Sequence, residues 1–273
     1  MSLRTQDFDY ALPPELIAER PLARRDGARM MVLHRDSQQI THAQFRDFPC
    51  FIRPGDQLVL NDTKVIPARV MSNDGGIELL CLERPTPLDW RCLVRPGKKM
   101  RLGATINVGT ATATVVALAE NGDRWLRWDR ELDLAAHGRL ALPHYMGRSD
   151  DDADQERYQT VYAQAEGAIA APTAGLHFTS EMLSTLPHCF LTLHVGVGTF
   201  RPVKADHIHD HIMHSEHYAL SGASAGMINA AERVIAIGTT VTRVLEHLAQ
   251  QQERNPRVPV SYTHLTLPTK RIV

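Results

Sequence analysis

Ala170-Ala-Pro-Thr-Ala-Gly-Leu-His-Phe-Thr, a short apolar helical segment, and then Leu191-Thr-Leu-His-Val-Gly-Val-Gly-Thr-Phe-Arg-Pro-Val form the stretch on which the fold turns. Two loops rich in Gly, Thr and His flank one hydrophobic element. His177 and His194 each follow a leucine and sit beside small residues, so an imidazole there meets little neighbouring bulk and the backbone can approach a ligand. The composition is that of a site, and also that of two tight turns around a buried strand.

Toward the C-terminus, histidines 207, 209, 211, 214 and 217 come first, then a small-residue helix over Ala223–Ala231 and an apolar strand over Arg233–Ile237. Gly238-Thr-Thr-Val-Thr-Arg then opens a helix over Val241–Gln252. A strand, a Gly-Thr-Thr turn and a helix start present free backbone N–H groups and a positive dipole end, a ready place for a carboxylate or phosphate. Arg243, in the first turn, adds charge to it. His207, His209 and His211 alternate, so a strand would put them on one face with Asp210 among them. The run falls one residue short of the H-x-H-x-D-H register of metallo-hydrolases, and a solvated histidine-rich loop is the other reading.

Toward the N-terminus, Leu58-Val-Leu is a buried strand ending in Asn61-Asp-Thr-Lys-Val-Ile-Pro-Ala-Arg, and polar groups at the carboxyl end of such a strand commonly line a ligand crevice. Before it lie a strand over Met30–Leu33, the arginines 20, 24, 25 and 29, and Leu12-Pro-Pro-Glu-Leu-Ile. The prolines suit a helix start that turns Leu16 and Ile17 inward. The arginines suit a solvated loop or an anion contact.

Between about Pro67 and Pro143 the texture changes to short β-rich runs: Ile77–Leu82, Trp90–Val94, Thr105–Val108, Ala113–Ala117 and Arg124–Trp128. Turn signals such as Asn73-Asp-Gly-Gly separate them, and five such strands predict a small closed barrel inserted into an α/β chain. Arg91, Arg95, Lys98, Lys99 and Arg101 make its cationic stretch, either a charged protected edge or a phosphate-contacting patch. Ser149–Glu156 is an acidic return linker, after which Tyr158 and Tyr162 stand at i, i+4, the spacing of one helical face.

A chain of 273 residues with 43% apolar content can bury a sizeable core in about two domains. No apolar run reaches membrane-spanning length, and Met1–Tyr10 is too polar for a signal peptide, so a cytoplasmic protein without a membrane partner is expected. The four cysteines lack C-x-x-C spacing, which argues against a disulfide framework or a cysteine zinc site and suits small core residues. A net charge of −1 gives no global basic field, so any nucleic acid has to be met by a local patch.

Six segments in order, Leu60–Arg69, Arg157–Tyr162, Ala170–Thr179, Leu193–Val203, Met213–Glu216 and Val234–Thr240, resemble the S-adenosylmethionine:tRNA ribosyltransferase-isomerase family of queuosine biosynthesis. The resemblance implies a mixed-sheet α/β domain (1–66 and 149–259) with an inserted small all-β barrel domain (67–148). It implies transfer of the ribosyl part of S-adenosyl-L-methionine to a 7-aminomethyl-7-deazaguanine base in tRNA, giving epoxyqueuosine and releasing adenine and methionine. In the reaction so implied, a base takes a proton from the 5′ carbon beside the sulfonium, and adenine is protonated or hydrogen-bonded as it leaves. His177, His194, His214 and Glu216 are the titratable candidates in matching segments. Asp62, Thr173, Gly175, Gly196, Gly198, Thr199, Gly238, Thr240 and Arg243 are the candidates for holding S-adenosylmethionine, and the cationic barrel stretch is the candidate for tRNA.

No metal is expected, and a monomer is. The Pro187-His188 connection and the loop before Arg233 look trimmed relative to the family. Residues 260–273, beginning Val260-Ser-Tyr-Thr-His-Leu, look like a translated transposase-type adapter and are set aside as a non-native tail on a C-terminally shortened member. A metal-dependent hydrolase built on the His207–His217 cluster, or a non-catalytic RNA-binding module, is the alternative.

Overall fold

An apolar run without alternation, such as Leu58-Val-Leu, has to be covered on both faces. The computed structural model, which describes residues 3–196, 198, 203, 205–211, 215–252 and 263–266, shows that cover. Strands β1 (Arg29–His34) and β2 (Gln39–Gln44) make an antiparallel hairpin, and a 3-10 segment over Phe45–Phe51 leads from it into β3 (Asp56–Asn61) and β4 (Thr63–Val65). Next come β5 (Arg69–Met71), β6 (Glu78–Glu83), β7 (Asp89–Arg95), β8 (Thr105–Val108), β9 (Ala111–Leu118) and β10 (Arg124–Trp128). Helix α1 (Leu134–His137) and β11 (Gly138–Arg139) follow, then α2 (Asp152–Arg157), β12 (Ala165–Ala168), α3 (Ser180–Ser184) and β13 (His188–Leu193). The remainder is β14 (Ser215–Leu220), α4 (Gly222–Ala230), β15 (Arg233–Ala236), α5 (Thr239–Gln252) and β16 (Thr263–Thr266).

The protein is a mixed α/β fold. One sheet has the order β15-β3-β13-β14-β16, in which β15, β3 and β13 run parallel and β14 is antiparallel to both its neighbours, β13 and β16. β16 lies inside the stretch read as a tail and pairs with Ser215–Tyr218. On one face of the sheet Val59 and Leu191 pack with Val241, Val244 and Leu248, the i, i+3, i+7 stripe of α5. On the other, Leu58 and Leu60 pack with Phe178, Leu183 and Leu186. Each such fully buried leucine contributes about 1.5–3 kcal/mol. The parallel register sets Arg233 beside Asp56, where Nε and Nη2 reach the two carboxylate oxygens at 2.7 and 2.5 Å.

The second large sheet is antiparallel with the order β11-β5-β6-β7-β10-β9-β8. Its strands alternate, and the inward residues, among them Leu79, Cys92, Ile106, Val115 and Leu126, close on an edge-to-face pair of Trp90 and Trp128 with centroids 5.1 Å apart. Just past β5, the Asn73 N–H donates to the Asn107 carbonyl at 2.9 Å, and its side chain exchanges two hydrogen bonds with Gly109, so the curled sheet brings the turn after β5 against β8.

Several expectations are corrected. Seven strands, not five, form this sheet; β5 and β11 have three and two residues, too few to show alternation. The Leu12-Pro-Pro segment makes only a 3-10 turn, because the Ile17 N–H bonds back to Pro14 and the chain then extends, leaving Leu16 71% exposed. Tyr158 and Tyr162 share no helix: α2 ends at Arg157, and the rings enter separate clusters, one with Val65 and Leu142, the other with Leu58 and Phe178. Cys81, Cys92 and Cys189 are buried, but Cys50 is exposed on a 3-10 turn. Ile208–Asp210 is also a 3-10 turn, and at three residues per turn His207, His209 and His211 do not share a face.

Candidate active site

The carboxyl ends of β3, β13 and β15 run out side by side, and each opens into one of the loops singled out in the sequence. Asn61 fixes the first two. Its side-chain amide donates to the Leu193 carbonyl at 2.9 Å, while its Oδ1 accepts from Leu193 N–H at 2.9 Å and Thr63 N–H at 3.2 Å. A buried amide with its bonds filled in this way pins the β3 exit to the β13 exit. Asp62 follows, half-buried, with Oδ1 accepting from the Thr192 hydroxyl at 2.6 Å. Burial pushes its carboxyl above the usual value, and the Thr192 bond opposes that.

His194 leaves β13 with its ring against two residues from other strands. Nδ1 lies 2.8 Å from the Thr63 hydroxyl of β4, and the ring covers Gly167 of β12. Gly167 has φ +150, and a Cβ there would come within 2.9 Å of the imidazole, so only glycine gives the ring its seat. Burial and nearby His217 lower the His194 pKa and Asp62 raises it, with burial dominant, which keeps the imidazole neutral at pH 7.

Two residues further on, the Gly196 N–H donates to Glu216 Oε1 at 3.0 Å. Glu216, at the start of β14 and 8% exposed, holds Arg243 Nη2 at 2.5 Å with its other oxygen. This pair ties the Gly196 loop, β14 and α5 together. Gly238 turns the chain into α5 with φ +91, and its carbonyl accepts from both the amide and the hydroxyl of Thr242 at 3.2 Å. A Cβ on Gly238 would sit 3.2 Å from Ala174, so the Thr173–His177 turn packs against the start of α5.

Thr173 is exposed at that turn, and Gly175 is buried where a Cβ would strike the Tyr162 hydroxyl. His177 belongs to a separate set of contacts. Its ring is 5.2 Å from that of Phe45, and burial lowers its pKa against a hydrogen bond to the Arg25 backbone. Thr240 is half-buried in the first turn of α5, and Gly198 is half-buried beyond the β13 loop. His214 and Thr199 lie outside the described residues.

The cationic stretch is divided. Arg91 pairs with Glu83 at 3.2 Å and with buried Asp123 at 3.7 Å, and Arg95 stands opposite Glu78 in the β6–β7 register. Lys98, Lys99 and Arg101 are exposed. Thr63, Asn61 and Gly167 were not singled out in the sequence. Thr63 and Asn61 fall inside a quoted segment, but nothing local marks a partner 131 or 132 positions away. Among the described residues no three His, Cys, Asp or Glu side chains come together as a metal-binding group.

Parallel strands that end on an imidazole, a half-buried carboxylate and a glycine-opened helix start are the arrangement at which open α/β sheets place their ligand sites. Comparison with known proteins narrows the class. A family model described as "Queuosine biosynthesis protein" matches residues 5–267. The S-adenosylmethionine:tRNA ribosyltransferase-isomerase of Clostridium kluyveri is 44% identical over 271 residues, covering 92% of this chain and 79% of that protein. Its counterpart in Geobacter metallireducens is 42% identical over 273 residues, with the same coverage. A crystal structure of S-adenosylmethionine tRNA ribosyltransferase from Thermotoga maritima is 31% identical, covers 89% of this chain and 73% of its own, and superposes with a TM-score of 0.41. The chain belongs to the queuosine biosynthesis protein family.

Proposed function

We infer that this chain is an S-adenosylmethionine:tRNA ribosyltransferase-isomerase, moving the ribosyl part of S-adenosylmethionine onto a 7-aminomethyl-7-deazaguanine base in tRNA to give epoxyqueuosine, with adenine and methionine released. The observation that carries the reading is convergence. Segments as far apart as Leu60–Arg69 and Val234–Thr240 lie side by side at the carboxyl ends of one parallel sheet, and they are the segments that carry the family resemblance. The residues there fit such a substrate. A neutral imidazole can accept a proton, Asp62 offers a half-buried carboxylate, and the N–H groups at the start of α5 suit the carboxylate of the methionine part.

His194 is the base for the proton on the 5′ carbon, since its ring is kept neutral and is held by Thr63 and Gly167. His177 is the second titratable ring, on the side of the Thr173 turn, and suits hydrogen bonding to the departing adenine. Glu216 and Arg243 hold each other, and both act as anchors of the Gly196 loop rather than as base and carboxylate clamp. We read residues 67–148 as a closed all-β barrel inserted between the two parts of the α/β domain. Lys98, Lys99 and Arg101 on it serve as the tRNA contact, and the protein works as a cytoplasmic monomer.

The test is incubation with S-adenosylmethionine and precursor tRNA while free adenine is measured. Adenine release is expected, and His194→Ala should abolish it with an unchanged circular dichroism spectrum; near-normal release by that variant would remove His194 from the role. Lys98→Ala with Lys99→Ala should weaken tRNA binding and reduce the slope of log affinity against log salt by about 1.5–2.

A further inference from the structure

We propose that Thr63 and Gly167 are positioning residues for His194: Thr63 accepts the Nδ1–H of the ring and Gly167 seats its face, so that Nε2 is left unprotonated and able to take up a proton. The inference rests on His194 being the base, and it adds the part of the chain that makes it one. A histidine takes up a proton on the nitrogen that carries none, so the partner of the other nitrogen decides which way the ring works.

The Thr63 hydroxyl has one proton to give. Its Oγ1 lies 2.8 Å from His194 Nδ1 and 3.4 Å from the Ala165 carbonyl on the paired strand β12. Given to Ala165, that proton satisfies a carbonyl of the β4–β12 pair and leaves the hydroxyl oxygen as acceptor for Nδ1–H. Thr63 is fully buried, so no water competes for either position. The hydroxyl itself is fixed by the backbone, because the Thr63 N–H is bound to Asn61 Oδ1, which also holds Leu193, the residue before His194. One amide side chain thus sets both partners of the contact.

Gly167 closes the other side. The register of β12 against β4 shifts between Glu166 and Ala168, which puts Gly167 out of the regular ladder and under the imidazole. With 2.9–3.0 Å from an added Cβ to three ring atoms, alanine there forces the ring away from Thr63. The titratable groups facing the ring are Asp62 at the end of β3 and His217 on β14. Neither replaces the Thr63 hydroxyl at Nδ1.

The experiment reads the tautomer directly. In the full chain labelled with 15N-histidine, long-range 1H–15N spectra at neutral pH should show His194 with Nδ1 protonated and Nε2 bare. Thr63→Val, which keeps the shape and removes the oxygen, should shift the ring toward the other tautomer and lower kcat for adenine release by about 10²-fold with little change in KM. Thr63→Ser should restore both. Gly167→Ala should lower kcat in the same way through displacement of the ring.

A wild-type ring protonated on Nε2, or a Thr63→Val protein with unchanged tautomer and kcat, overturns the proposal. If His194→Ala keeps near-normal turnover, the base assignment fails instead. The tautomer spectra of wild type, Thr63→Val and Thr63→Ser then still decide whether Thr63 sets the ring.

Discussion

At the scale of single residues, the buried pair of Glu216 and Arg243 carries the clearest energetic consequence. Glu216 is buried and Arg243 largely so, and the carboxylate is held by the guanidinium and by the Gly196 N–H. Removing one partner strands the other, at a cost of roughly 3–5 kcal/mol. Arg243→Met should therefore lower the denaturation midpoint strongly. Glu216→Gln keeps an oxygen for Gly196 and should destabilise less while retaining measurable adenine release, whereas a proton-transferring Glu216 would lose turnover entirely on that change. Both residues were legible as candidates in the sequence, but their partnership was not, because it joins β14 to α5 across 27 positions. His194 was legible for the opposite reason: its own neighbours are small, and that is a local property. Its supports, Thr63 and Gly167, come from strands that meet it only in the folded sheet.

At the scale of elements, the antiparallel sheet was legible where strands run four residues or longer and alternate, as in β8 with its Ile106 and Val108 turned inward. Its two ends were not. β5 and β11 pair where the chain enters and leaves this sheet, and their few residues carry no period. The contact they make is tight. A Cβ on Gly138 would run into the carbonyl oxygens of both Pro67 and Leu134, which are backbone atoms with no side-chain freedom to give way. Gly138→Ala should thus part β11 from β5 and destabilise the sheet by about 1–3 kcal/mol or more. The three tryptophans of the chain, Trp90, Trp125 and Trp128, all lie in β7 and β10 of this sheet, so their fluorescence reports on it selectively. The prediction is an earlier fluorescence transition in denaturant for Gly138→Ala; an unchanged midpoint would mean that the β5–β11 pairing does not contribute to the stability of the sheet.

At the scale of the whole molecule, two arginine–carboxylate pairs, one between distant strands and one local to the start of α2, make its stability depend on acid in a stated direction. Asp56 is held by Arg233 across the β3–β15 pair, and Asp154 by Arg148 at the start of α2. The guanidinium partners pull both carboxyls down to about 2. An unfolded chain takes protons on these groups near pH 4, while the folded one does so only near 2. Between those values the unfolded state binds more protons, so stability present above pH 4 is lost as pH falls toward 2. The half-buried imidazoles of His177, His194 and His247 act in the same direction but earlier, since partial burial lowers each below the ordinary histidine value. Their unfolded counterparts charge first as pH drops below about 6.5. The expected profile has two steps: a shallow decline in denaturation midpoint starting below about pH 6.5 and a steeper one below about 4. Midpoints measured by circular dichroism from pH 7 to 2.5 test it. Asp56→Asn should lower the plateau above pH 4 and flatten the steep step, because the variant no longer has that carboxylate to lose. A wild-type midpoint that stays level between pH 4 and 2.5 would show that these two pairs do not contribute to stability.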